Sequence, residues 1–243
     1  MPNGNIHKKG FSPEPPDGRD LSKERILLHC CCAPCSTAII EWMVSEGLRP
    51  GIFFSNSNIV PFREYVIRRD ELVRYAAAHG LETIDDEYNH AAWLAFVRRL
   101  ESQHPATLCS VAELAEAPEQ KDLAFPSATE PAIRIADMPE RGPRCLECFK
   151  FRLLRAVRYA ATHGYTLLTT TLASSRWKDL GQVDASGRWA CDQVKALNPG
   201  AEVAWWNQNW RRGGLQKRRN ALIKEWDMYN QTFCGCEFSE RHK

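Results

Sequence analysis

The amino-acid sequence predicts an α/β protein: a parallel sheet with helices on both faces and a metal site at the carboxyl ends of its strands. Three observations lead there. Short apolar runs alternate with amphipathic stretches that stop at glycines, the pattern of strand–helix–strand units. A knot of four cysteines falls in the turn between the first such run and the first amphipathic stretch. The chain has 243 residues, 44% hydrophobic and 26% charged, which suits a large buried core in one soluble domain.

The elements follow in order. Residues 1–24 are polar and hold Pro2, Pro13, Pro15 and Pro16, which predicts a flexible N-terminal tail. Residues 25–29 (RILLH) read as a first buried strand. Residues 36–47 space Ala38, Ile39, Trp42 and Met43 as a helix and stop at Gly47. Residues 51–55 read as a second strand, 62–79 as a second helix ended by Gly80, and 81–85 as a third strand. Residues 153–163 read as a helix, and 165–171 (YTLLTTT) as a fourth strand. Residues 215–229 read as a last helix leading into Cys234-Gly235-Cys236. Residues 101–140 hold eight acidic residues, two basic residues and five prolines. That composition predicts an acidic surface insertion at about 101–134, with one short helix near 111–116, inside a single α/β domain spanning 25–240.

The composition also excludes several classes. No apolar run is long enough to span a bilayer, and the first twenty residues lack the apolar core of a secretory signal. A cytoplasmic protein with reduced thiols is therefore expected. The net charge is only +2, so any nucleic-acid binding must come from local patches.

The cysteines carry the chemistry. Cys30, Cys31, Cys32 and Cys35 lie within six residues, Cys145 and Cys148 form a C-x-x-C, and Cys234 and Cys236 form a C-x-C. Cys109 and Cys191 stand alone and read as non-ligands. In an open α/β sheet, ligands bind beyond the carboxyl ends of the strands, where the first knot falls. The N-terminus of the following helix favours thiolates, and Pro34 fixes the backbone between Cys32 and Cys35. Three readings compete at this level. Zinc is satisfied by two pairs, Cys32/Cys35 and Cys145/Cys148. A cubane iron–sulfur cluster takes adjacent thiolates on separate corners more readily. Buried free thiols can also simply pack as small hydrophobes.

Five separated blocks make the chain recognisable. They are residues 27–35 (LLHCCCAPC); Ser55-Asn56-Ser57-Asn58-Ile59 with Glu64-Tyr65; Arg144-Cys145-Leu146-Glu147-Cys148-Phe149 with Arg152; Thr169-Thr170-Thr171-Leu172 with Ser174, Ser175 and Lys178; and residues 229–239 with Phe233-Cys234-Gly235-Cys236. In this order they resemble the cobalamin-independent epoxyqueuosine reductase family (QueH). The resemblance implies a Rossmann-like fold of the nucleotide-α-hydrolase type. It also implies an oxidoreductase that performs the last step of queuosine biosynthesis. Epoxyqueuosine is reduced to queuosine at the wobble position of tRNAs with GUN anticodons, those for Tyr, His, Asn and Asp. No cobalamin is implied, and the electron donor is left unidentified.

The resemblance implies a 4Fe–4S cluster on Cys31, Cys32, Cys145 and Cys148, with an additional metal beside it, expected to be iron. Cys35, a position where relatives can carry aspartate, is the candidate ligand of that metal, with Cys234 and Cys236 as further candidates. Reduction of an epoxide to an alkene needs two electrons and two protons and releases water. Lys178, Asp179 and Tyr65 are the candidate proton sources. Arg211, Arg212, Lys217, Arg218 and Arg219, five basic residues in nine, are candidate tRNA contacts. Trp205, Trp206 and Trp210 beside them could stack on bases, although core packing is expected for at least two. His29 either approaches a cluster sulfur or serves as a structural histidine at the strand end. The rival reading is a zinc-stabilised RNA-binding module without catalysis. A sulfur-inserting tRNA enzyme of similar fold would need a glycine-rich phosphate loop where this chain has cysteines. Ser174 and Ser175 lack a histidine–acid pair, which argues against a serine hydrolase.

Overall fold

A computed structural model describes residues 13–102 and 134–239. Five parallel strands form one sheet in the order β3-β2-β1-β4-β5. They are β1 (Ile26–Cys30), β2 (Gly51–Phe54), β3 (Thr83–Asp85), β4 (Leu167–Thr170) and β5 (Ala204–Trp205). The register pairs Leu28 with Ile52 on one side and with Thr169 on the other. Every residue of β1 and β4 is buried, as expected of strands covered on both faces.

The described residues form six α-helices: α1 (Ala33–Ser45), α2 (Phe62–Ala78), α3 (His90–Arg98), α4 (Pro143–Thr162), α5 (Leu180–Leu197) and α6 (Leu215–Glu225). The chain moves from β1 to β3 in one direction and from β4 to β5 in the other. Right-handed crossovers then place α1 and α2 on one face and α4 and α5 on the opposite one. The packing agrees: α1 lies against α2 and α6, and α4 against α5 and α3. The reversal falls between β1 and β4, so the loops leaving these strands part and open a crevice.

The structure departs from the sequence-based boundaries in informative places. Helix α1 starts at Ala33, which puts Pro34 and Cys35 in its first turn. A proline is tolerated there because that N–H has no intrahelical partner anyway. Helix α4 starts at Pro143, ten residues before the apolar periodicity begins, so Cys145 and Cys148 sit on its first two turns. Helix α3 and strand β5 escape a pattern reading, the strand being only two residues long. Of the tail, residues 13–24 touch the domain: Trp206 Nε1 donates to Glu14 O (2.9 Å), and the Thr166 hydroxyl donates to Glu24. The expected helix near 111–116, Cys109 and nearly all of the expected insertion lie outside the described residues.

The main core surrounds the sheet. A smaller apolar cluster joins Trp93 and Val97 of α3, Ile135, Met138, Cys148 and Phe151 around α4, and Cys236 from the C-terminal segment. It forms the outer wall of the crevice.

Candidate metal centre

The site is assembled where β1 and β4 end. Cys30, the last residue of β1, is fully buried in the core and stays off the crevice wall. Past it the chain turns, and the Sγ atoms of Cys31, Cys32 and Cys35 come within 4.8 Å of one another. Cys31 Sγ and Cys32 Sγ are 3.9 Å apart. The turn is held by the short helical turn that follows β4: the Cys31 N–H donates to Thr171 Oγ1 (3.1 Å), and the Ser174 hydroxyl donates to Cys35 O (2.9 Å).

This trio lines a cavity of about 570 Å³ together with Cys145, Cys148, Cys234 and Cys236. The C-terminal cysteines arrive through Arg68 of α2. Its buried guanidinium pairs with Glu64 (2.7 Å) and donates to Phe233 O and Cys234 O (3.2 and 2.9 Å). The Val60 N–H adds a bond to Gly235 O (2.8 Å). Gly235 has φ +107°, and a Cβ there would stand 3.0 Å from both Arg68 and Ile59. A side chain between the two cysteines would therefore strain the backbone and push the segment off Arg68.

The charges on the wall favour thiolates, whereas burial favours neutral thiols. Among the described residues, the cavity wall carries seven cations and one carboxylate, Glu140. Cys31 is held below the ordinary thiol range, first by hydrogen bonds from Cys32 and Cys35, then by the charges of Lys178 and Arg152. Burial pushes Cys32 and Cys148 up and Cys145 up to about 12. The bond to Cys31 is the main cause that raises Cys35 to about 11. Lys178 faces this group, and its raised pKa comes from the Cys234, Cys31 and Cys35 charges, which outweigh its burial.

These residues fit a thiolate-held metal group. Soft sulfur donors suit iron–sulfur clusters and zinc rather than magnesium or calcium. Hydrogen-bond donors already wait on the sulfurs. Gln231 Nε2 donates to Cys32 Sγ (2.7 Å). The Trp93 indole N–H is buried without a hydrogen-bond partner, beside Cys148, whose thiolate form it favours. A buried donor left unpaired costs about 1–3 kcal/mol, which bonding to a ligated sulfur would recover.

The other candidate residues divide. Lys178 is on the cavity wall, and Tyr65 and Asp179 are not. Tyr65 is buried and donates its hydroxyl to Asp85 Oδ1 (2.5 Å). Asp179 caps α5, accepting from the Gln182 N–H (2.8 Å). Of the basic run, Arg219 reaches the cavity, and Arg212 and Lys217 are exposed. Arg218 holds Glu41 of α1 and Glu225 at 2.7 Å each. Arg211 donates to the carbonyls of Ser175 and Lys178. Trp205, Trp206 and Trp210 are all buried core residues. His29 is a structural histidine: its ring nitrogens meet Thr170 Oγ1 (2.7 Å) and Ser55 O (3.2 Å). Burial first, then Arg152, pushes its pKa down to about 3. Cys191 lies on α5 away from the cavity. Sequence reasoning missed Trp93 as a site residue, because nothing near it in the chain points to cysteine. Arg152 and Gln231 lay inside recognised blocks, without a role.

Fold and site together define a class: an α/β protein with a buried thiol centre at the topological switch point of a parallel sheet. The family model described as epoxyqueuosine reductase QueH matches residues 26–121 and 120–242. The epoxyqueuosine reductase QueH of Haemophilus influenzae is 32% identical over 228 residues, covering 94% of this chain and 75% of the relative. That of Acinetobacter baylyi is 30% identical over 226 residues (93% and 83%), and that of Thermotoga maritima 28% over 215 residues (88% and 89%). The chain belongs to the QueH family.

Proposed function

We propose that this protein is an iron–sulfur-dependent epoxyqueuosine reductase acting on tRNA. The observation that carries the reading is the convergence of three cysteine groups, distant in sequence, on one cationic cavity at the switch point. The names of the relatives support the substrate. Cys31, Cys32, Cys145 and Cys148 would hold a 4Fe–4S cluster. Cys35 would hold an additional iron, with Cys234 and Cys236 within the same cavity. When bound, this centre supplies electrons singly and a Lewis acid for the epoxide oxygen.

The chain's own residues do the rest. The epoxide takes two electrons and two protons, breaks both C–O bonds, forms the alkene and releases water. Burial works against the Lys178 ammonium, yet the cysteine sulfurs around it raise its pKa on balance, so Lys178 Nζ would hold a proton on the wall toward the departing oxygen. Asp179 and Tyr65 are occupied by the α5 cap and by Asp85. Arg152 donates to Ser55 O and Asn56 Oδ1, which fixes the cavity floor. Arg219 on the cavity wall and the exposed Arg212 and Lys217 would offer phosphate contacts. A GUN-anticodon tRNA is the expected partner, reduced by an electron donor of the cytoplasm. No helix among the described residues is long and apolar enough to cross a membrane.

The test is metal and sulfide analysis of anaerobically reconstituted protein, followed by turnover of epoxyqueuosine-containing tRNA with a chemical reductant. About four iron and four sulfide per chain, one further metal, and queuosine as product are expected. A colourless protein that holds zinc alone and leaves the epoxide untouched would overturn the reading.

A further inference from the structure

The turn at residues 175–178 leaves β4 beside the thiol trio and does two things at once. It sends Lys178 toward the sulfurs and Trp177 outward. Trp177 lines the same cavity yet is 52% exposed. The other large exposed aromatic side chains among the described residues, Phe62 and Tyr229, are not part of that lining.

This turn is held unusually tightly for a surface loop. Its four successive carbonyls all accept from two guanidinium groups. Arg141 donates to Arg176 O (3.2 Å) and Trp177 O (3.1 Å), and Arg211 donates to Ser175 O and Lys178 O. The Lys178 N–H closes the turn on Ser175 O (3.2 Å), and the α5 cap follows at once. Arg141 is itself fixed, since Gln182 Nε2 donates to its carbonyl (2.7 Å). An indole on so constrained a backbone is preorganised and loses little conformational entropy when it is covered.

We infer that Trp177 is a stacking platform for a nucleobase next to the modified base of the RNA substrate. The inference rests on the tRNA reading and deepens it. A base that enters a buried cavity must leave its stack, and its neighbour loses a π partner. An aromatic side chain at the cavity mouth restores that partner without regard to base identity. The charge around the indole fits a nucleic-acid strand. The Arg176 guanidinium lies 4.8 Å from the Trp177 ring centroid, and Arg141 and Arg219 share the wall. Because the turn also carries Lys178, the stacked neighbour sets the position of the reacting base relative to the thiol centre.

The experiment measures binding of a labelled anticodon stem–loop RNA to the anaerobically metal-loaded full chain by fluorescence anisotropy, over a salt series. Trp177→Ala should weaken binding about tenfold or more with the salt slope unchanged, because stacking releases no counterions. Trp177→Leu should behave like Trp177→Ala, whereas Trp177→Phe should recover most of the affinity. An abasic nucleotide beside the wobble position should weaken the wild type and erase the difference between wild type and Trp177→Ala. Equal binding by wild type and Trp177→Ala would overturn the inference and leave the tRNA reading intact. So would a loss that no neighbouring abasic position erases. A wild-type protein that binds no RNA would instead remove the tRNA reading on which the inference rests.

Discussion

Cys30, Cys31 and Cys32 are neighbours in the chain with different surroundings. Cys30 ends β1 inside the core, and its thiol donates to Leu28 O (3.5 Å) and lies beside the Ser36 hydroxyl. Burial pushes its pKa up, so it stays a neutral small hydrophobe. Cys31 and Cys32 follow as the backbone turns and face the cavity with Cys35. Single alanine replacements should therefore sort the knot by role. Cys31→Ala should lose most of the iron, sulfide and visible absorbance of the reconstituted protein. Cys35→Ala should keep the absorbance and lose the extra metal and the turnover. Cys30→Ala should keep all of them. Iron, sulfide and absorbance measured on the three variants check this, and equal loss of absorbance from Cys35→Ala and Cys31→Ala would refute the division of ligands.

Two helices show how local constraints shape an element. The buried residues of the first turns of α4 include Arg144, Cys148, Phe149 and Arg152, because that part of the helix faces a thiol cavity instead of the sheet. A hydrophobic period cannot register polar residues that are buried for their chemistry. Arg144 donates to Ile135 O (2.6 Å) and Phe238 O (3.2 Å) and so joins α4 to the C-terminal segment. Helix α5, which contains Cys191, carries a different constraint. It holds Gly181 and Gly187, which lower helix propensity. Gly187 is needed by packing, because a Cβ there would run into the Trp205 indole of β5. Trp205 is backbone-paired to β4 and also donates Nε1 to Asp184 Oδ1 (2.8 Å), so it cannot retreat easily. Gly187→Ala gains helix propensity and loses more to overpacking, for a net loss of about 1–3 kcal/mol. A fall in thermal midpoint of several degrees is the expected readout, and an unchanged midpoint would show that the indole can move.

At the scale of the whole molecule, the cysteine-lined cavity brings together parts from all along the chain. The β1–α1 turn, the start of α4 and residues 231–236 come from the beginning, middle and end of the chain. Loading the centre binds the folded state alone and should raise the thermal midpoint. Removing the metal with a chelator and reductant should reverse the gain. Hydrogen exchange should then speed up in residues 229–239 and at the start of α4, with β1 and β4 little changed. Equal protection of the C-terminal segment with and without metal would show that Arg68, Glu64 and the apolar cluster hold it unaided.

Residues 27–35 announced a strand, a turn and a helix with thiols between them, and the C-x-x-C and C-x-C announced further thiols, which line the same cavity. Those readings depend only on local period, turn chemistry and residue type, which a sequence carries directly. The apolar runs at 51–55 and 165–171 likewise exposed the parallel sheet, since strands buried on both faces read as continuous hydrophobic stretches. Which thiols share a wall was settled by the switch point between β1 and β4 and by the buried Arg68–Glu64 pair that draws in Cys234 and Cys236. The basic run shows the same divide. Five neighbouring cations look alike in sequence, yet Arg211 holds a turn, Arg218 holds two carboxylates and Arg219 reaches the cavity. The physical reason is range. Strand and helix patterns are written in neighbouring residues, whereas the partner of a charge or a thiol is chosen by whatever the fold brings within a few ångströms, from any distance along the chain.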